Sequence, residues 1–254
     1  MRLAYDKIGE GPSLFLLHGL FGSRQNLRQV AQFLSSRFTV FSIDLRNHGE
    51  SGHDDSMTYK QMAQDLFEFV KMFNLGAVHV VGHSMGGKVG MTFSLLYPQL
   101  VQSLVVVDIA PVAYPLHHQR VCEGLLAINV NAIQSRSDAD SVLAEYVPES
   151  FIRLFLLKNL KHNNGVYQWR CGLRAISANQ DQIAYFDDAL GEFNGEVLFV
   201  KGTESSYLDA SYESVVIRLF PKAVIESIDG AGHWVHATHM VALSGILSRF
   251  FRNF

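Results

Sequence analysis

The chain has 254 residues, of which 48% are hydrophobic and 18% charged, and its formal net charge is −3. A chain this long buries roughly three quarters of its extended surface on folding, so it needs neither disulfides nor a metal for stability. Low charge with 20 Gly and 18 Phe excludes a disordered polymer, and slight acidity argues against a sequence-independent nucleic-acid binder.

Two cysteines, Cys122 and Cys171, cannot make a disulfide scaffold; reduced thiols in a cytoplasmic protein are expected. No apolar run approaches the ~18 residues of a membrane span, and Met1–Lys7 has no apolar core of a signal peptide.

Taken in order, Leu14–Leu17, Phe38–Ile43, Val78–Val81, Leu104–Val107, Val197–Val200 and Val224–Ile228 read as strands. Most are nearly continuous in apolar residues, the pattern of strands covered on both faces of a parallel sheet. Helical periodicity fills the intervals. In Tyr59–Phe73 the apolar residues Met62, Ala63, Leu66, Phe69, Val70 and Phe73 fall three and four apart and form one stripe. Gln25–Leu34, Lys88–Tyr97 and Met240–Phe251 are similar. Alternating strands and helices predict right-handed βαβ units, with chemistry at the carboxyl ends of the strands.

Residues 112–190 break the alternation. Leu116–Ile128, Ala139–Tyr146 and Ser150–Leu160 look helical and no strand is evident. So long a segment is no plain connection. The expected organisation is a core of residues 1–111 and 191–254 carrying a helical lid, residues 112–190. Leu125, Phe151, Phe155 and Trp169 are candidates for its pocket side.

Gly82-His83-Ser84-Met85-Gly86-Gly87 lies between a strand and a helix, the setting in which G-x-S-x-G forms a nucleophile elbow. A serine on so tight a turn projects its hydroxyl, and the small glycines let neighbouring backbone pass close by. A serine hydroxyl needs an adjacent base. His233, in Gly230-Ala231-Gly232-His233-Trp234 after the last strand, is the candidate among 11 histidines. His236 and His239 lie just beyond it, on or near the final helix. His79 falls in a strand, and His117, His118 and His162 fall in the insertion. The acid that orients the imidazole is either Asp108, ending the strand beside the elbow, or Glu204, after the next strand.

The oxyanion requires backbone donors. Met85, after the nucleophile, supplies one, and Leu20, in His18-Gly19-Leu20-Phe21-Gly22-Ser23, is the candidate for the other; His18 reads as a brace of that loop. In Asp44–Gly52, Asp44 and Arg46 are expected to pair or to bond backbone, although Arg46 and His48 could instead meet an anionic substrate group. Lys88 has the same two readings. No Cys or His pattern has metal-ligand spacing, and neither a metal nor a cofactor is expected.

In these stretches the chain resembles the α/β-hydrolase superfamily, and in detail the bacterial ybfF-type esterases. The detailed likeness rests on His18–Ser23, Arg46–Gly49, Gly82–Lys88, Asp108–Pro111 and Gly232–His236. The resemblance implies an α/β-hydrolase sheet with a helical insertion. It also implies hydrolysis of a small-molecule ester or thioester, including acyl-CoA, through an acyl-enzyme. Ser205 stands where most of the superfamily carries its acid, which the ybfF-type pattern replaces by the earlier-strand aspartate; Ser205 then supports the histidine. Cofactor-free haloperoxidase chemistry, carbon–carbon bond hydrolysis and non-catalytic small-molecule binding are the alternative readings on the same fold.

Overall fold

The computed structural model describes residues 1–116 and 118–254. Seven strands form the main sheet: β1 (Tyr5–Ile8), β2 (Ser13–Leu17), β3 (Thr39–Ile43), β4 (Val78–His83), β5 (Val101–Val107), β8 (Glu196–Gly202) and β9 (Ala223–Ile228). A separate hairpin consists of β6 (Leu160–Asn163) and β7 (Val166–Trp169). The main sheet runs β1-β3-β2-β4-β5-β8-β9. All pairs are parallel except β1 with β3.

The helices are α1 (Arg28–Leu34), α2 (Tyr59–Met72), α3 (Met85–Leu96), α4 (Gln119–Ala127), α5 (Arg136–Ala144), α6 (Ser150–Leu156), α7 (Leu173–Ala178), α8 (Gln180–Ala184), α9 (Glu213–Leu219), α10 (Val235–Thr238) and α11 (Met240–Phe250). No helix among the described residues is long and apolar enough to cross a membrane.

The continuous apolar strands follow from the two-sided burial. Successive side chains point to opposite faces. Leu14, Leu16, Val105 and Val107 pack with Val30 and Leu34 of α1 and Leu243 and Leu247 of α11. Their neighbours Phe15, Leu17, Leu104 and Val106 pack with Met62, Leu66 and Phe69 of α2 and Val89 and Phe93 of α3. The second cluster continues without a break into residues 112–190 through Cys122, Leu125, Leu143, Leu156 and Ile176. Thr58 caps α2 by accepting from the Gln61 N–H at 3.2 Å, while the Gln61 side chain answers the Thr58 N–H at 2.9 Å, a capping box that fixes where this helix starts.

Two strand elements escaped the pattern. Strand β1 is exposed along its whole length and lies at the sheet edge, antiparallel to β3, so no apolar run marks it. Residues 112–190 are not wholly helical, because β6 and β7 pair there. The signal was Asn164-Gly165: both residues have positive φ, 50° and 81°, as a two-residue hairpin turn requires. The flanking strands are mostly exposed and have no apolar run to show.

Candidate active site

Every predicted site residue lies at the carboxyl end of a strand. Ser84 follows β4 with φ 53° and ψ −121°, a left-handed φ that costs a non-glycine residue about 1–3 kcal/mol. The surroundings hold it there. Its N–H donates to the Val107 carbonyl at 3.0 Å. A Cβ on Gly82 would meet the Gly86 carbonyl oxygen at 2.3 Å, and one on Gly86 the Leu17 carbonyl oxygen at 2.4 Å. Only glycine at both positions lets the turn close.

His233 sits in the loop after β9. Its Nε2 accepts from the Ser84 hydroxyl at 3.0 Å, and its Nδ1 donates to Asp108 Oδ2 at 2.7 Å. Asp108 follows β5, has φ 55° and is fully buried. Its N–H is held by the Val200 carbonyl at 2.8 Å. The Gly202 N–H donates to Oδ1 at 2.9 Å, and the Ser205 hydroxyl donates to Oδ2. The carboxylate therefore receives donors on both oxygens, which fixes its orientation toward His233. Glu204 is exposed, and its N–H bonds the Ala231 carbonyl at 2.9 Å. Of the two acids weighed from sequence, Asp108 faces the imidazole.

Three residues the sequence did not single out complete this arrangement. The His83 Nε2–H donates to the His233 carbonyl at 2.8 Å and fixes the loop that carries the imidazole. The Tyr207 ring lies over the His233 ring with centroids 4.2 Å apart. The Tyr114 hydroxyl takes the Ala110 N–H at 2.9 Å and donates to the Tyr207 carbonyl, joining the segment after β5 to that after β8. His83 is the residue before the nucleophile and Tyr207 is two beyond Ser205, but neither spacing discloses an orientation.

Leu20, Ser84 and Met85 line one small chamber of about 40 Å³ together with Lys88, Ile109 and Tyr114. Among the described residues no acceptor takes the N–H of Leu20 or Met85. The next amide, Phe21, is committed to His48 Nε2 at 3.0 Å. His48 Nδ1–H donates in turn to the Arg46 carbonyl at 2.9 Å. His18 Nε2 accepts from the Leu45 N–H at 3.0 Å, and its Nδ1–H donates to the Gly19 carbonyl at 2.8 Å. Both histidines thus brace the Leu20 loop, as expected of His18.

Asp44 and Arg46 do not pair with each other. Asp44 accepts from the Arg24 and Glu50 N–H groups at 2.6 and 2.9 Å and from the Arg24 guanidinium. Arg46 forks onto Asp65 at 2.7 and 2.9 Å. Arg46 and His48 are buried and line neither chamber at Ser84, so the substrate-facing reading of this pair is corrected: they are scaffold. Lys88 is also buried and donates to the Ala184 and Tyr185 carbonyls at 3.0 and 3.3 Å, 4.7 Å from the Tyr114 ring centroid. It clamps the end of α8 to α3, and burial lowers its amine to about 7.

A larger chamber of about 470 Å³ reaches Ser84 and His233, walled by Leu20, Ile152, Phe155 and Trp234. Of the four pocket candidates only Phe155 lines it. Leu125 is in the hydrophobic cluster, Trp169 lines a remote groove, and Phe151 stands edge-on to Trp234 at 5.4 Å. Among the remaining histidines, His79 bonds the Ser103 hydroxyl at 2.8 Å, and His236 packs on His83 at 4.5 Å. His239 precedes α11, His162 lies on exposed β6, and His118 lines both chambers at Ser84. His117 lies outside the described residues. Both cysteines are buried free thiols, and burial raises Cys122 to about 11 and Cys171 to about 12.

Burial lowers His18 to about 4 and His48 to about 3, below the ordinary 6.5. The unfolded chain binds more protons in this window, so stability is complete above about pH 6.5 and falls as pH drops toward 3–4. Each group is expected to cost ~2 kcal/mol at about pH 5. Urea unfolding at several pH values checks this; a midpoint that holds steady from neutrality into that range contradicts it.

Residues 12–133 match the family model described as alpha/beta hydrolase fold. The chain is 39% identical over 241 residues to the sn-1-specific diacylglycerol lipase ABHD11 of Xenopus tropicalis, covering 92% of this chain and 76% of that protein. It is 32% identical over 238 residues to esterase YbfF of Escherichia coli (strain K12), covering 93% and 92%. A solved structure described as a marine microorganism esterase superposes with a TM-score of 0.95 at 36% identity, covering 98% of this chain and 99% of that one. The chain belongs to the α/β-hydrolase family. Its place within that family is among the esterases and lipases.

Proposed function

We propose that the protein is a serine carboxylesterase working through an acyl-enzyme. The observation that carries this reading is the continuous hydrogen-bonded row Ser84–His233–Asp108, with 3.0 and 2.7 Å links, opening on a chamber of about 470 Å³. Ser84 Oγ attacks the substrate carbonyl carbon while its proton passes to His233 Nε2. Asp108 holds the imidazole in the tautomer with Nδ1–H and stabilises the imidazolium. The oxyanion accepts from the Leu20 and Met85 N–H groups. On collapse the bond to the leaving oxygen or sulfur breaks, and His233 returns its proton to that atom. Water then attacks the acyl-serine with the same proton route, releasing the acid and restoring Ser84.

The reading extends to the organisation of the chain: residues 112–190 act as a lid that shapes the substrate chamber over the core formed by 1–111 and 191–254. Val121, Ile152 and Phe155 from the insertion on that chamber support it. A thiol leaving group fits the same steps as an alcohol, so thioesters, acyl-CoA included, are candidate substrates beside glycerol esters of the kind named for the ABHD11 relatives. Stoichiometric fluorophosphonate labelling of Ser84, lost in Ser84→Ala along with hydrolysis of p-nitrophenyl butyrate, is the expected result. Wild-type protein that hydrolyses neither p-nitrophenyl, glycerol nor CoA esters and takes no label contradicts the reading.

A further inference from the structure

Beside the chamber at Ser84 runs a groove of about 700 Å³ into which Arg28, Arg136, Lys158 and Arg170 all project a wall. It shares Phe21, Asn26, Phe155, Trp234 and His236 with the chamber. Among the described residues no Asp or Glu lines it, although the whole chain is net −3. The four charges are poorly compensated. Arg28 and Lys158 are exposed and make no ion pair or side-chain hydrogen bond among the described residues. Arg136 donates to the Leu157 and Leu160 carbonyls, both at 2.7 Å, and has no counter-ion among the described residues. Arg170 alone has an acid, Glu50 at 3.3 Å, and that acid is half exposed.

Three cations on one groove without a counter-ion among the described residues, and a fourth whose acid is the half-exposed Glu50, create a field that draws multivalent anions. Guanidinium groups suit phosphate oxygens in particular. Among the described residues, the larger of the two chambers that meet at Ser84 shares Trp234 and Phe155 with the groove, and the smaller shares none of its lining. A leaving group that extends from Ser84 toward the groove must lie in this larger chamber, about 470 Å³ against about 40 Å³ for the other. We propose that this groove holds a phosphate on the leaving group, so that preferred substrates are acyl esters or thioesters of a phosphorylated alcohol or thiol. The proposal deepens the esterase reading and rests on it.

Two matched pairs of substrates test it with the intact protein: 1-butyryl-glycerol against its 3-phosphate, and S-butyryl-pantetheine against its 4′-phosphate. At least one phosphorylated member is expected to exceed its neutral partner about tenfold in kcat/KM, and the pair that shows it identifies an alcohol or a thiol as the carrier. Raising the ionic strength should shrink that ratio. Arg28→Gln with Lys158→Gln should bring it near one, and the corresponding Glu replacements below one. Because each ratio is taken within one preparation, a poorly folding fraction cancels. Ratios near one for both wild-type pairs, with the neutral esters hydrolysed, overturn the groove proposal alone; a protein that hydrolyses none of the four, nor p-nitrophenyl butyrate, overturns the esterase reading with it.

Discussion

Asp108→Asn is expected to lower kcat by about four orders of magnitude while leaving the fold in place. The carboxamide is nearly the same shape as the carboxylate; its oxygen can still take the Gly202 N–H, and the Ser205 hydroxyl can rotate to accept from the NH2 that replaces Oδ2. The fault lies at the imidazole. An amide NH2 turned toward His233 Nδ1 donates instead of accepting, which moves the ring proton to Nε2. That nitrogen can then no longer accept from Ser84, 3.0 Å away. The charge that would stabilise the imidazolium is lost as well.

Glu204→Gln serves as the matched control, because Glu204 is exposed and its backbone alone is bonded near the His233 loop. Its kcat should stay within about twofold of wild type, since surface changes away from a network have small effects. Steady-state kinetics on p-nitrophenyl butyrate decide the matter. Loss of rate in Glu204→Gln with retention in Asp108→Asn would transfer the acid role to the later strand.

Asp65→Ala is expected to have the largest effect on stability, about 3–5 kcal/mol. Asp65 and Arg46 are 4% and 7% exposed, and their bidentate pair sets α2 against the loop that follows β3. Removing the carboxylate leaves the guanidinium in the interior with the Ser56 and Gln61 carbonyls at 2.8 and 3.5 Å and the half-exposed Asp54 carboxylate at 4.0 Å. The damage should spread, because the Arg46 carbonyl holds His48 and His48 holds the Phe21 amide beside Leu20. A lower urea midpoint with a reduced kcat is the expected pair of results. Replacing both partners, Arg46→Met with Asp65→Leu, should recover most of the stability because the guanidinium is no longer buried without its carboxylate. A loss below about 1 kcal/mol in Asp65→Ala would mean that the pair is solvated in solution.

Much of the architecture could be read directly from residues. Phe15, Leu16 and Leu17 are consecutive and apolar because each faces a covered side of the sheet, and local pattern records that burial. Ser84 was legible because a left-handed serine between a strand and a helix needs glycine at both 82 and 86, and those residues are written in the chain. Strand β1 and the hairpin β6–β7 were not, since an exposed strand needs no apolar run to form.

Order along the chain thus pointed to the parallel core, to the strained turn at Ser84 and to the histidine after the last strand, because backbone strain and two-sided burial act on neighbouring residues. The choice of Asp108 over Glu204, the separate partners of Asp44 and Arg46, and the place of Tyr207 over His233 came only with the assembled sheet. Those contacts join residues far apart in the chain, and their angles depend on how β5, β8 and β9 end side by side. The field of Arg28, Arg136, Lys158 and Arg170 has the same origin: four charges scattered along the chain line one groove only when residues 136–170 lie beside α1.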